Sequence, residues 1–251
     1  MESLPFWSFF WIIAFSVVLF GSIIQGMTGF GGGLLIGPAL TLFLEPKLVV
    51  MIIMFTGVGN LLFVVYHARR HITVARALPL IVPGILGIPL GAYILHKVAS
   101  SITSLTIASV SIVFSTVLLL GYRMPIKREA MASLGFGFTS GVMCAGVGMG
   151  GPPIILFLSN QEWAKEMFRG TVAIHFLLTG TLTIILYVMT GIATAPRIMT
   201  SILLLPPAVI GFFIGNLMFQ RVSSNIFLKI SLSLILFAGL TSLFIHLSKI
   251  L

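Results

Sequence analysis

Two glycine-rich stretches carry the most suggestive chemistry in this chain. The first, GMTGFGGGLLIGP, runs from Gly26 to Pro38, and the second, GVMCAGVGMGGPP, from Gly141 to Pro153. Both lie within apolar sequence rather than in polar loops. Glycine gives up more backbone freedom in a helix than any other residue and is costlier there than all but proline, so such clusters interrupt helices. An interrupted helix exposes N–H groups at the start of its next segment, where they carry partial positive charge and bind oxyanions. Gly29, Gly31, Gly32 and Gly33 would expose one such set, and Gly146, Gly148, Gly150 and Gly151 the other. The competing reading is that these glycines only let helices pack closely.

Polar side chains close to these stretches are the next candidates. Gln25 and Thr28 flank the first, Cys144 precedes the second, and Asn60 and His175 lie inside other apolar runs. Polar groups in such runs face the interior of a bundle, because exposure to lipid leaves them unpaired. An internal alignment on Tyr66 and Tyr187 places Thr181 opposite Asn60, making both candidate contacts for a bound solute. For Asn60 an interhelical hydrogen bond is an equal alternative, and for Cys144 packing is favoured. His175 is the candidate for proton coupling, since imidazole titrates near neutral pH. A neutral imidazole bonded to a neighbouring helix is the competing reading.

The second stretch also contains G-x-G-x-x-G at Gly146, Gly148 and Gly151. A dinucleotide site requires that pattern between a strand and a helix, and the apolar surroundings here exclude it. No metal site or cofactor is expected.

The elements that must hold these residues are membrane helices. The chain has 251 residues, of which 58% are hydrophobic and only 8% charged. A soluble domain carries about 25% charged residues. The reading is therefore an all-α, polytopic integral membrane protein. A helix needs about 20 apolar residues to cross a bilayer. The apolar runs predict segments at 5–25, 29–44, 48–66, 77–95 and 102–121, then at 130–145, 146–158, 168–190, 198–219 and 225–247. The second member of each set is short enough to be a half-helix, a re-entrant piece or a tilted crossing. The N-terminus lacks a basic run, so the first segment is expected to remain as a membrane helix. The net charge of +9 is scattered between the segments, as membrane anchoring requires, and does not call for nucleic acid.

The two halves, 1–125 and 126–251, resemble each other. Pro83, Gly87 and Gly91 recur as Pro207, Gly211 and Gly215, and Gly29, Gly31 and Gly33 align with Gly146, Gly148 and Gly150 at a different offset. Each half is read as a repeat of about five transmembrane segments with a discontinuous Gly-rich helix. Five crossings per half put Arg69, Arg70, Arg76, Arg123, Lys127, Arg128, Lys165, Arg169, Arg221 and Lys229 on one side, against Lys47, Lys97, Arg197 and Lys249 on the other. The positive-inside rule prefers this split to the eight-to-six split of four crossings per half. An odd number of crossings makes the repeats inverted and puts both termini on the non-cytoplasmic side.

GFGGG at Gly29–Gly33, GVGMGGPP at Gly146–Pro153 and the two P-x3-G-x3-G stations resemble the TauE/SafE sulfite exporter family of permeases over nearly the whole chain. The resemblance implies a small sulfur-containing anion, such as sulfite or a sulfonate, moved across the inner (plasma) membrane, with export the expected direction. An uptake permease for another organic anion and an anion channel are the alternatives. A membrane enzyme is disfavoured, because one cysteine, one embedded histidine and no embedded carboxylate make no catalytic cluster. Met149 stands where the first Gly-rich copy has Gly32. Expected partners are the anion and the lipid bilayer, with a homo-oligomer left open.

Overall fold

The computed structural model describes residues 9–69, 74–121, 129–158, 165–219 and 224–248. These form eleven helices and no strands. They are α1 (Phe9–Thr28), α2 (Gly32–Thr41), α3 (Pro46–Ala68), α4 (Val74–Lys97), α5 (Ser100–Leu119), α6 (Glu129–Val147), α7 (Gly151–Leu158), α8 (Lys165–Met189), α9 (Ala195–Leu203), α10 (Leu205–Phe219) and α11 (Ser224–Leu247). Seven spans are long and apolar enough to cross a membrane, with α9 and α10 counted as one. Leu86, Phe237 and Phe244 are among many large apolar side chains exposed on the periphery. In water that surface would be a liability; in a bilayer it is the lipid contact. The all-α polytopic membrane fold follows.

The ten predicted segments recur with one change. The run at 198–219 is two helices, because Pro206 and Pro207 lack N–H groups and their rings crowd the preceding turn. The chain bends at Leu204 between α9 and α10. Prolines 79, 83 and 89 in α4 are spaced apart, and that helix stays continuous.

The second segment of each half is short. α2 has 10 residues and α7 has 8, so at 1.5 Å per residue each covers only part of the hydrocarbon. Both are half-helices that follow a break. α2 folds back along α1, with Gly21 against Ile36. Its far end returns to where α1 begins, since the Phe10 and Phe43 rings lie 6.0 Å apart.

α3 runs through the middle. Leu48 to Met54 are seven consecutive buried residues, the signature of a helix enclosed on all sides. α3 crosses α8 where Val58 fits against Gly180. Small residues bring the other central pairs together. A Cβ on Gly87, Gly91 or Gly141 of the α4–α6 pair would strike the carbonyl oxygen of Phe138, Val142 or Gly84 respectively. In the α1–α10 pair, Gly211 and Gly215 meet the Leu19 and Ile23 carbonyls in the same way. In each pair the contacts advance together along both helices, so the helices run parallel. Each pair also joins one half of the chain to the other.

The ends of the bundle carry different charges. At one, Arg197 donates to Glu45 at 2.9 Å and to the Ile192 carbonyl at 2.8 Å, while Lys47 reaches the His96 carbonyl. At the other, Arg76 contacts Met167, and Arg169 bonds Asn216. Among the described residues, Lys47 and Arg197 therefore lie at one end and Arg76 and Arg169 at the other.

Gly141→Val should push α4 and α6 apart. Overpacking of this kind costs about 1–3 kcal/mol, a fall of roughly 3–10 °C in unfolding midpoint for a chain of this length. Gly135→Ala on the same helix meets nothing within 4 Å and should cause no loss. Thermal unfolding of both variants in detergent checks the contrast.

Candidate functional site

The two breaks meet. A Cβ on Gly33 would lie 3.0 Å from the Gly148 carbonyl, and one on Gly151 would lie 3.9 Å from the Phe30 side chain. Between them is a cavity of about 80 Å³, lined by both breaks together with α1, α3, α6 and α8. That is ample for a small polyatomic anion or a few waters.

Each break begins the same way. α1 ends in Gly29, at φ 81°, and α6 ends in Gly148, at φ 76°, the left-handed conformation that terminates helices and that side chains disfavour. Three residues later α2 starts at Gly32 and α7 starts at Gly151. The geometry therefore pairs Gly29 with Gly148 and Gly32 with Gly151, each 119 positions apart. By helix ends Gly29 corresponds to Gly148, two residues beyond the Gly146 that counting glycines matched to it.

Gly29, Gly31, Gly32, Gly33, Gly148, Gly150 and Gly151 all line the cavity, as does Gln25. Gly31 caps α2 in the left-handed conformation without a side-chain hydrogen bond. Leu34 N–H turns back onto the Gly31 carbonyl at 3.1 Å, which leaves Gly32 and Gly33 as the forward donors of that helix start. The second break is poorer in donors, because Pro152 and Pro153 have no N–H.

Asn60 is fully buried and stands behind Gln25. Its amide donates to Gln25 Oε1 at 2.9 Å and to Ser22 Oγ at 3.3 Å. With its oxygen held, Gln25 presents Nε2 on the side where Gly57 opens the cavity, 3.9 Å from where a Gly57 Cβ would sit. Asn60 thus positions a donor and does not itself line the space.

Three expected site residues lie elsewhere. Gly146 is inside α6 and packs beside Gly91 of α4. Thr28 turns its hydroxyl onto the break itself, within 2.8 Å of the Ile24 carbonyl and 2.5 Å of the Phe30 carbonyl, and accepts the Phe30 N–H. Thr181 is exposed on the outer face of α8, whereas Thr179 and Thr183 are buried. Two residues rotate a helix by about 200°, so Thr181 faces away. The Tyr alignment misled because Tyr66 is exposed, whereas Tyr187 is buried with its hydroxyl on the Ala145 carbonyl.

Four contributors were not anticipated. Thr56 and Gly57 line the cavity from α3. Ser140 is fully buried between the second break and His175, with Oγ 2.7 Å from the Gly150 carbonyl and 3.1 Å from His175 Nε2. Arg169, counted as a loop charge, is half-buried in α8. It donates to the Gly26 carbonyl at 3.2 Å and to Asn216 Oδ1 at 2.8 Å, and its stem touches Gly29. An arginine beside a span reads in sequence as an anchor, and only the fold places it against the first break.

Among the described residues no acidic side chain lines the cavity, and no three His, Cys, Asp or Glu residues cluster as metal ligands. The lining is largely apolar, and the polar groups set in it include backbone N–H and amide donors, which suit an anion. The buried Cys144 lines the space too, 3.8 Å from Met54 Sδ.

No curated protein and no solved structure matches the chain. A sequence family does, described as Sulfite exporter TauE/SafE, over residues 13–242, nearly the whole length. With helix breaks, glycine stations and multi-spanning fold in place, the chain belongs to the TauE/SafE family of membrane transporters.

Proposed function

We propose that the chain carries a small sulfur-containing anion, sulfite or a sulfonate, across the cell membrane, and that it works as an exporter by alternating access. The observation that carries this reading is the cavity shared by the two helix breaks, which offers N–H and amide donors and, among the described residues, no carboxylate. The anion would accept hydrogen bonds from Gln25 Nε2 and from the N–H groups of Gly32, Gly33 and Gly151. Charge-assisted hydrogen bonds of this kind are about twice as strong as neutral ones, and low surrounding polarity strengthens them further.

The two halves, 1–125 and 126–251, would be inverted repeats that rock about the α3–α8 crossing. The parallel α1–α10 and α4–α6 pairs, each joining opposite halves, support that division. Leu48, Val49, Val50, Met51 and Ile52 pack with Tyr187, Ile192 and Leu204 on the Glu45 side of the cavity. That side would be the closed one in this conformation. The positive-inside rule puts the Arg169 end in the cytoplasm, with both termini across the inner membrane from it.

In proteoliposomes the wild-type chain should show saturable sulfite transport with counterflow. Gly57→Val, which fills the cavity from a helical position with no close neighbour, should abolish it while leaving insertion and thermal stability intact. Unaltered transport in this variant would remove the anion from this cavity.

Gln25→Glu replaces an amide donor with a carboxylate of the same shape. Sulfite transport should fall at least 100-fold, whereas Gln25→Asn should retain part of it. Asn60→Ala should raise the KM for sulfite by several-fold, because it frees Gln25 without removing it. Kinetics of the three variants, measured against equal amounts of inserted protein, check the order.

A further inference from the structure

The second break has one peptide whose direction decides where the first N–H of α7 points. Pro152 and Pro153 have no N–H, so among the first three residues of α7 only Gly151 has an N–H to donate. A planar trans peptide points its C=O and the following N–H in opposite directions. The Gly150 carbonyl is aimed at α6, where Ser140 Oγ lies 2.7 Å away. Gly151 N–H is thereby turned away from α6, and Gly150 and Gly151 both line the cavity.

Ser140 has a single hydroxyl proton, and a carbonyl can only accept. The proton therefore goes to Gly150, and the 3.1 Å contact with His175 must be a bond in which imidazole Nε2–H donates to Ser140 Oγ. That sets the tautomer. His175 Nδ1 carries a bare lone pair, consistent with its having no hydrogen-bond partner in a fully buried site. The groups packed around the ring are apolar or neutral: Gly84 from α4, Ser140 from α6, and Phe176 and Thr179 from α8 itself.

We infer that Ser140 and His175 are positioning residues for substrate binding: His175 Nε2–H fixes the Ser140 hydroxyl, which holds the Gly150–Gly151 peptide with its N–H facing the cavity. The inference rests on the proposed anion site and adds what keeps its second half competent. Neither side chain touches the anion. Without the chain of bonds, the Gly150 carbonyl is released and can turn toward the cavity, where it presents a partial negative charge to an anion. In the first half, Asn60 does the equivalent task by holding Gln25.

The test uses the full chain in proteoliposomes with sulfite as probe. Ser140→Ala and His175→Ala should each raise KM about tenfold with Vmax within twofold of wild type, the scale of one lost hydrogen bond to a charged group. The double variant should be no worse than either single. His175→Gln, which keeps an N–H near Nε2 and cannot titrate, should return KM to within threefold of wild type. Wild-type KM in Ser140→Ala would overturn the inference, and so would a His175→Gln variant as impaired as His175→Ala.

A second measurement does not depend on the cargo. Solid-state nitrogen NMR of histidine-labelled protein in lipid, with the His175 signal assigned by its loss in His175→Gln, should show a neutral ring protonated at Nε2. A ring protonated at Nδ1 would overturn the inference whatever the anion is. Absence of sulfite transport by the wild type would count against the proposed function, and the NMR result would still decide the role of His175.

Discussion

A peptide group released from a helix inside a bilayer has no water to turn to. Every N–H and C=O that leaves the helical ladder must find a partner within the protein or face an enclosed polar space. The rest of this fold follows from that constraint. Two helices are broken at membrane depth, so the breaks must be walled in, and the walls are the parallel pairs α1–α10 and α4–α6 with α3 and α8 crossing between them. The close approach that seals the walls depends on glycine. At Gly87, Gly91, Gly141, Gly211 and Gly215 the neighbouring backbone occupies the place of a Cβ.

The freed groups are not treated alike. At the first break Leu34 N–H folds back onto Gly31, while the Thr28 hydroxyl serves Phe30. At the second, Gly148 N–H bonds Cys144, and Met149 N–H reaches Met143. Gly32, Gly33 and Gly151 are left as the donors nearest the shared cavity. The break is thus a filter: most of its polar groups are internally satisfied, and the few at the helix starts remain for a ligand. The side chains that matter most, Asn60 and Ser140, hold other groups in place from full burial. Buried amide and hydroxyl groups are worth keeping in an apolar bundle only when bonded, and here they bond to the parts that face the cavity.

Much of this was legible in the chain itself. Composition excludes a water-facing surface, apolar runs mark the helices, and glycine clusters mark the breaks, because each rests on local physics that one sequence displays. The span at 198–219 also recurs, divided into α9 and α10 by two adjacent prolines in plain view. The candidate site was legible in outline. Seven of the eight glycines singled out line one cavity, together with Gln25. The errors came from inferring azimuth. Thr181 was placed through a tyrosine pairing that the fold does not honour, and two residues of helix were enough to send it outward.

Sequence alone determined that this is a multi-spanning membrane protein with two interrupted helices, since chain length, hydropathy and backbone propensity are properties of contiguous residues. Only the tertiary structure decided that the interruptions share one cavity, and that Ser140, His175 and Arg169 stand beside them. Those facts depend on which helix faces which and at what rotation. A hydrogen bond between residues 35 apart, such as Ser140 with His175, leaves no trace in local pattern, because its direction is fixed by the packing of helices that are distant in the chain.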